Sequence, residues 1–513
     1  MRSSFGWVSR ETLDKSTFYG EPAQLCDAGI SKIKVLAPLI LLQKFPHLFN
    51  QRFPGGVTVR SAATVLSLVM LLLSSPSQSQ VVRSSPKPVP PDAVYMQPVP
   101  GLTHGQLQKF KAGEKQFKAP WVVFPLLGGE WGLGPTFLAN ACVGCHMQAG
   151  RGRTFDQPGA IVFQQLLRLS LPGQTDDGTP IPHPNYGDQL QVFGVNVGLK
   201  ENLKPSEAEL YVDWLAEPVD LPDGTRIELR KPAIRIEKPN FGAIDATVLT
   251  SLRNTQVVFG MGYLEAVSEE DILALAKMQA TMGLNGRPNY VRDDIQKRIS
   301  LGRFGWKANQ PSVRQQIVAA FHGDMGVTSS LYSEENCPPV QIDCREMPPG
   351  NRPELLDYAW DDLNFWSVAL DAPAPRDQDK PHILRGKQLF EQARCAQCHV
   401  PEMRTSAYPT LPLISNKTFR AYTDLLLHDM GAGLADGRPD FKAGPRDWRT
   451  APLWGIGLSA QVNGSTNLLH DGRARNVLEA ILWHGGEAQA SRDLFAGLSA
   501  QERDDLIAFV NSL

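Results

Sequence analysis

The chain has 513 residues, 42% of them hydrophobic and 20% charged, enough to bury a large core and to fill more than one domain. Its formal net charge is −2 and it has no long Lys/Arg block, which argues against a nucleic-acid partner. The 40 prolines and 44 glycines argue against a plain helical bundle and for many turns and long ordered loops.

Ala62 to Leu73 is an apolar run of 12 residues, short for a bilayer span. Arg60 precedes it and a Ser/Pro-rich stretch follows, the layout of a secretory signal peptide cleaved near Ser79. Residues 1–80 therefore read as an upstream extension plus a signal peptide, with the translation start near Val57 or Val59. The expected location is periplasmic or otherwise exported, with no stable membrane span in the mature chain. Residues 81–101 read as a proline-rich linker.

The body opens with a first unit, 102–375. It contains Cys142-Val-Gly-Cys-His146, then a β region at 190–236 in which Asp223-Gly224 separates two alternating runs as a hairpin turn. Helical spacing follows at Glu269–Met282, with Ser268 as N-cap, and at Gln310–His322 and Pro353–Leu370. Cys337 and Cys344 bracket a short loop without a neighbouring His, the pattern of a structural disulfide in an exported chain. A break at Asp371-Ala-Pro-Ala-Pro375 leads to the second unit, 376–513. This unit has Cys395-Ala-Gln-Cys-His399, a helical stretch ending near His484, and a last helix opened by the capping box Ser499/Glu502. Thr255-Gln-Val-Val-Phe-Gly-Met-Gly262 echoes Thr450-Ala-Pro-Leu-Trp-Gly-Ile-Gly457. Each copy lies after one CxxCH, so two related units are expected.

CxxCH is the spacing of c-type haem attachment. Two thiols on one turn can form thioethers with the vinyl groups of a haem, and the adjacent His faces the iron. A four-cysteine zinc site or a redox disulfide would need no His after the second Cys. With 10 His in 513 residues, two such coincidences arise by chance about 0.04% of the time. The reading is two covalently bound c-type haems, held by Cys142, Cys145 and His146 and by Cys395, Cys398 and His399. Further ligand candidates cluster in the second unit at His428, Met430, His470 and His484. In the first unit Met147, His183, Met261 and His322 stand as alternatives.

These segments, together with GLGPTFLANACVGCHMQAGRG, FGWKANQPSVRQQ, DMGVTS, YTDLLLHDMGAGLADGR and LLHDGRARNVLEAILWHGGEA, resemble the di-haem oxidoreductase family of bacterial exported proteins. The resemblance runs from about Val94 to Leu513. That family is in turn similar to the bacterial di-haem cytochrome c peroxidases. The resemblance implies a mainly α fold of two cytochrome-c-like haem domains, here with the β region inserted in the first.

In those peroxidases an HDG motif is followed, fourteen residues after its His, by the distal Met of the second haem. Here His470 begins HDG and His484 stands fourteen residues on. The resemblance thus implies His484 as the distal iron ligand and His470 as a pocket residue near the propionates. A His for a Met lowers the haem potential. The first unit lacks the early distal His of the peroxidases, because the next His after His146 is His183. Glu265 is the candidate acid–base residue.

The implied function is a haem-dependent, peroxidase-like oxidoreductase. Electrons from a donor protein such as a small cytochrome enter at the C-terminal haem and reach the N-terminal haem, where a small redox substrate, peroxide, is reduced. The alternatives are an electron carrier with both haems six-coordinate, and an oxidoreductase of thiols or other substrates linked to iron acquisition.

Overall fold

The computed structural model describes residues 90–123, 129–154, 162, 164–195, 206–347 and 350–513. The expected signal peptide, residues 81–89 of the expected linker and residues 196–205 of the expected β region lie outside the described residues. Residues 90–101 pack against the body: Tyr95, Met96 and Val99 are buried, and Val99 N–H donates to Ala369 O (2.8 Å).

Six helices of 12 or more residues carry the frame: α1 His104–Lys118, α2 Glu269–Thr281, α3 Val313–Met325, α4 Asp357–Ala369, α5 Pro381–Gln392 and α6 Ala500–Ser512. Side-chain caps fix several of their starts. Thr103 and Gln106 form a capping box at α1, Ser499 and Glu502 one at α6, and Ser268 caps α2. Helix α3 begins three residues later than its periodicity predicts. Gln310 is bridged to Phe304 and Ser312 takes the cap, its hydroxyl accepting from Gln315 N–H. Helix α4 also starts late, since Leu355 bridges to Ser329 before the helix can begin.

Four longer strands, β1 Gln165–Ser170, β2 Glu209–Asp220, β3 Arg226–Glu237 and β4 Leu249–Asn254, form two antiparallel pairs, β1 with β4 and β2 with β3. The Asp223-Gly224 turn lies between β2 and β3, as the alternation predicts. All seven sheets among the described residues are two-stranded.

The expected mainly α class of two cytochrome-c-like domains does not hold. Helix accounts for 34% and strand for 20%, spread over many small sheets, so the architecture is mixed. The cause is visible in the packing. Helices α3 and α4 wall the first CxxCH cavity and α5 and α6 the second, but strand and turn segments complete both walls, as the Pro- and Gly-rich composition favours. One core cluster unites Leu221 and Leu229 from the hairpin with Phe390, Trp448, Phe495 and Phe509. At the hairpin turn Asp223 accepts from Arg503 Nη2 (2.5 Å).

Within this mixed frame one local arrangement occurs twice. Helix α1 crosses α4 where Gly113 lies against Asp362 O, and α5 crosses α6 where Gly386 lies against Asp505 O. A Cβ at either glycine would overlap the facing carbonyl. Phe117 of α1 sits 4.4 Å from Trp366 and 6.5 Å from His146 between ring centres. Phe390 of α5 sits 5.4 Å from Phe509 and 6.4 Å from His399. The two echo segments end each arrangement alike: Gly260 N–H donates to Leu370 O (3.1 Å) and Gly455 N–H to Leu513 O (2.9 Å). They also face each other, with Phe259 and Trp454 ring centres 6.3 Å apart. Cys337 and Cys344 form the expected disulfide. No helix among the described residues is long and apolar enough to cross a membrane.

The helix crossings set a test. Gly386→Ala should cost about 1–3 kcal/mol through overpacking against Asp505, read as a lower thermal midpoint. Gly105→Ala, with open space around it, should leave the midpoint unchanged or raise it slightly. Equal effects at the two positions would contradict the packing argument.

Candidate functional site

Each CxxCH segment is one tight turn closed by its own backbone: His146 N–H donates to Cys142 O and His399 N–H to Cys395 O, both at 2.9 Å. That turn puts the two thiols and the imidazole at the same cavity. One cavity, of about 1440 Å³ including space open to solvent, is lined by Cys142, Cys145 and His146. The other, of about 1370 Å³, is lined by Cys395, Cys398 and His399. Each CxxC thus serves its own cavity, which removes a zinc site shared by all four cysteines. All four thiols are free. Burial pushes Cys142, Cys145 and Cys395 up to about 12 and raises Cys398 as well. Thiols so reluctant to ionise are poor nucleophiles and poor thiolate ligands. Conversion to thioethers removes that cost.

The histidines share a second feature. His146 Nδ1 bonds Gln256 O (2.7 Å), His399 Nδ1 bonds Tyr422 O (3.0 Å) and His484 Nδ1 bonds Ala480 O (2.7 Å). A carbonyl can only accept, so each Nδ1 carries the proton. Burial lowers the imidazoles, His146 and His399 to about 4 and His484 in the same direction. All three are therefore neutral rings whose Nε2 lone pair is available, the state a metal-ligating His needs. The His399 and His484 ring centres lie 6.5 Å apart. Two metal–nitrogen bonds of about 2 Å, plus about 1.1 Å from each nitrogen to its ring centre, require about 6.2 Å. The spacing suits one ion between them.

The remaining sequence candidates separate. His470 lines the same cavity as His399, but its ring stacks on Trp448 (3.6 Å between centres) and its Nε2 lies 3.4 Å from Asp471. His428 is tied at both nitrogens, Nε2 to Asp424 (2.9 Å) and Nδ1 to Glu487 (3.0 Å). Burial alone would lower it, but the bonds to Asp424, Cys398 and Glu487 outweigh burial and carry it up to about 12. It is a cation clamped between two carboxylates, with no lone pair to offer.

Around the first cavity, Met261 is a lining residue whereas Met147, His183 and His322 are not. Met147 Sδ accepts from Gln164, His183 Nδ1 accepts from Asn185 N–H, and His322 Nε2 bonds Glu334 O. Glu265 lines neither cavity. Its carboxylate accepts from Val313 N–H at the start of α3 (2.8 Å) and lies 3.3 Å from Tyr408 Oη, which makes it a buried helix-end anchor.

Four residues escaped the sequence reading. Asp324 is the one carboxylate among the described residues that line the first cavity. Its Oδ1 accepts from Gln189 Nε2 (2.8 Å), and burial raises its carboxyl against the opposing pull of Arg168. Trp306 lines both cavities, with its Nε1 donating to Asn254 O (2.7 Å). Arg151 and Arg449 are buried at the second cavity and form no ion pair among the described residues. Arg151 Nε has no hydrogen-bond partner among the described residues, and Arg449 spends its donors on backbone carbonyls and Gln256. Two buried cations without an ion-pair partner among the described residues call for anions from a bound group. Trp306 and Asp324 lie in segments already notable, FGWKANQP and DMGVTS. Arg151 likewise lies in GLGPTFLANACVGCHMQAGRG, but no periodicity or spacing gave either arginine a role.

Two cavities, each presenting two thiols and a neutral imidazole, with buried arginines outside any ion pair of the described residues at one of them, form a donor set suited to haem. A family model described as "di-haem oxidoreductase, putative peroxidase" matches residues 92–513, and the chain belongs to that family. The family name implies two haems. No curated protein matches the chain.

The His428 clamp yields a pH test. His428→Gln leaves Asp424 and Glu487 without their cation and should cost about 3 kcal/mol at pH 6. The folded His428 titrates above its ordinary value of 6.5, so its contribution is full below pH 6.5 and fades as pH rises toward about 12. The gap in thermal midpoint between wild type and variant should therefore narrow from pH 6 to pH 10. A gap independent of pH would mean that His428 is neutral.

Proposed function

We propose that the chain is a c-type di-haem oxidoreductase that reduces peroxide. Cys142, Cys145 and His146 would hold the reactive haem, and Cys395, Cys398, His399 and His484 would hold an electron relay. One observation carries this reading: a second neutral imidazole faces His399, whereas no second His lines the cavity of His146 among the described residues. When bound, haem supplies iron that exchanges electrons and, where a coordination position is open, activates an oxygen–oxygen bond.

The chain's own groups supply the rest. Arg151 and Arg449 balance the propionates at the relay site, with His470 packed on Trp448 as part of the same wall. The Trp306 indole, which lines both cavities, would serve as a bridge between them. Asp324 replaces Glu265 as the proton donor. Burial favours its protonated form, and the Gln189 amide holds Oδ1, leaving Oδ2 to give up a proton. Peroxide takes two electrons and two protons to become two waters. The electrons come from a donor protein such as a small cytochrome, in keeping with an exported enzyme.

Met261 supports a second reading, a pure carrier, because its thioether lines the first cavity and could serve as a sixth ligand. Spectroscopy separates the two. Replacing Cys142 and Cys145 by Ala, or Cys395 and Cys398 by Ala, should leave one haem that resists acid–acetone extraction. His484→Ala should convert one low-spin haem to high spin, while His470→Ala should leave the ligation intact. The haem at His146 should take up cyanide in the oxidised or the half-reduced state. Two low-spin haems that refuse cyanide in both states would favour the carrier.

A further inference from the structure

A third cavity, of about 1110 Å³ including open space, lies between the segment around Pro180–Asp188 and the disulfide loop Cys337–Cys344. Arg168 and Asn309 line both this cavity and the one at Cys142, Cys145 and His146. They form the neck between the two spaces. Two ion pairs brace it: Arg168 Nη1 with Asp188 Oδ2 at 2.5 Å, and Arg253 Nη2 with Asp440 Oδ2 at 3.0 Å. In the second pair Arg253 lines the inner cavity and Asp440 the outer one. Asp188, 48% of whose side chain is open to water, borders the outer cavity.

The outer walls are built to stay open. Pro180, Pro182 and Pro184 on one side and Pro338 and Pro339 on the other fix their own φ angles. The disulfide closes the second wall. Gln341 Nε2 ties the walls together by donating to Asn185 O (2.8 Å) and to Glu207 Oε1 (2.5 Å). A space with rigid walls and a charged neck is a preformed passage.

We propose that this funnel is the route by which a small hydrophilic oxidant reaches the first cavity, with Asn309 and the Arg168–Asp188 pair setting its width and polarity. The inference rests on the reading that this cavity holds the reactive haem. An oxidant that hydrogen-bonds like water, such as hydrogen peroxide, can pass paired charges without leaving them unsolvated. An alkyl peroxide would have to strip their hydration, which is unfavourable. Beyond the neck stands Asp324, so substrate and proton donor meet on the same side of the route.

Asn309 makes no side-chain hydrogen bond among the described residues and is only partly buried, so it can be varied. The test is stopped-flow cyanide binding to the purified holoprotein carrying Asn309→Ala, Asn309→Leu, Asn309→Phe or Asn309→Trp. Only variants that keep both haems and the ferric Soret band are compared. Association should slow by about tenfold or more from Ala to the largest side chain. Dissociation should slow by the same factor, because one passage serves both directions, so the affinity stays constant. Equal association rates across the series would place the route elsewhere and leave the reactive-haem reading intact. A change in affinity without parallel rates would mean that Asn309 touches the bound ligand and is not the neck. A wild-type haem at His146 that never binds cyanide would instead remove the underlying reading.

Discussion

The constraint on which the structure turns is the hydrogen bond from a histidine Nδ1 to a backbone carbonyl. Gln256 O and Tyr422 O each fix a proton on one side of an imidazole and so determine what the other side can do. A carbonyl can be aimed this way only if its segment cannot shift. Gln256 lies in the first echo, whose Gly260 is bonded to the end of α4 and whose Phe259 packs on Trp454. Tyr422 packs against Phe390 and Phe509 of the second helix crossing. The glycine crossings and aromatic contacts are therefore part of the site, because they hold the atoms that decide the tautomer.

A second consequence of burial is the uneven treatment of charge. Lys307 is fully enclosed, yet its Nζ bonds Asp436, Arg438 O and Gly444 O. His428 has two carboxylates. Arg151 has none. In a fold that pairs its buried ions so carefully, an unpaired arginine marks a place where an anion belongs. The same logic explains Glu265: a buried carboxylate that caps α3 is already spent and has nothing left for chemistry.

Much of the site was legible in the chain because its chemistry is local. The spacing in Cys142–His146 and Cys395–His399 places three groups on one turn whatever the surroundings. The Ser268 and Ser499 caps and the Asp223-Gly224 turn are equally local, and the hairpin and the helices they open follow them closely. The fold class was not legible, since the helical spacing of five segments says nothing about how the rest is folded. That remainder makes many two-stranded ladders, set by contacts between residues far apart in sequence. Asp324, Trp306 and Arg151 were missed for the same reason. Each acquires meaning only from which cavity it borders, and no periodicity records that. Glu265 follows the first echo by three residues in sequence, but in space it lines neither cavity.

The hairpin β2–β3 carries one further implication, for the order in which the molecule is completed. Asp223 and Arg503 meet across 280 residues, so the hairpin leaves the ribosome long before the helix it rests on. Until α6 forms, Leu221 and Leu229 have no complete apolar surface to cover, and contacts of such separation form slowly. The hairpin's cover is thus completed only once α6, made some 280 residues later, is in place. During that interval a neighbouring copy can offer the same helix to the same waiting side chains, which makes this seam the natural place for two chains to exchange parts.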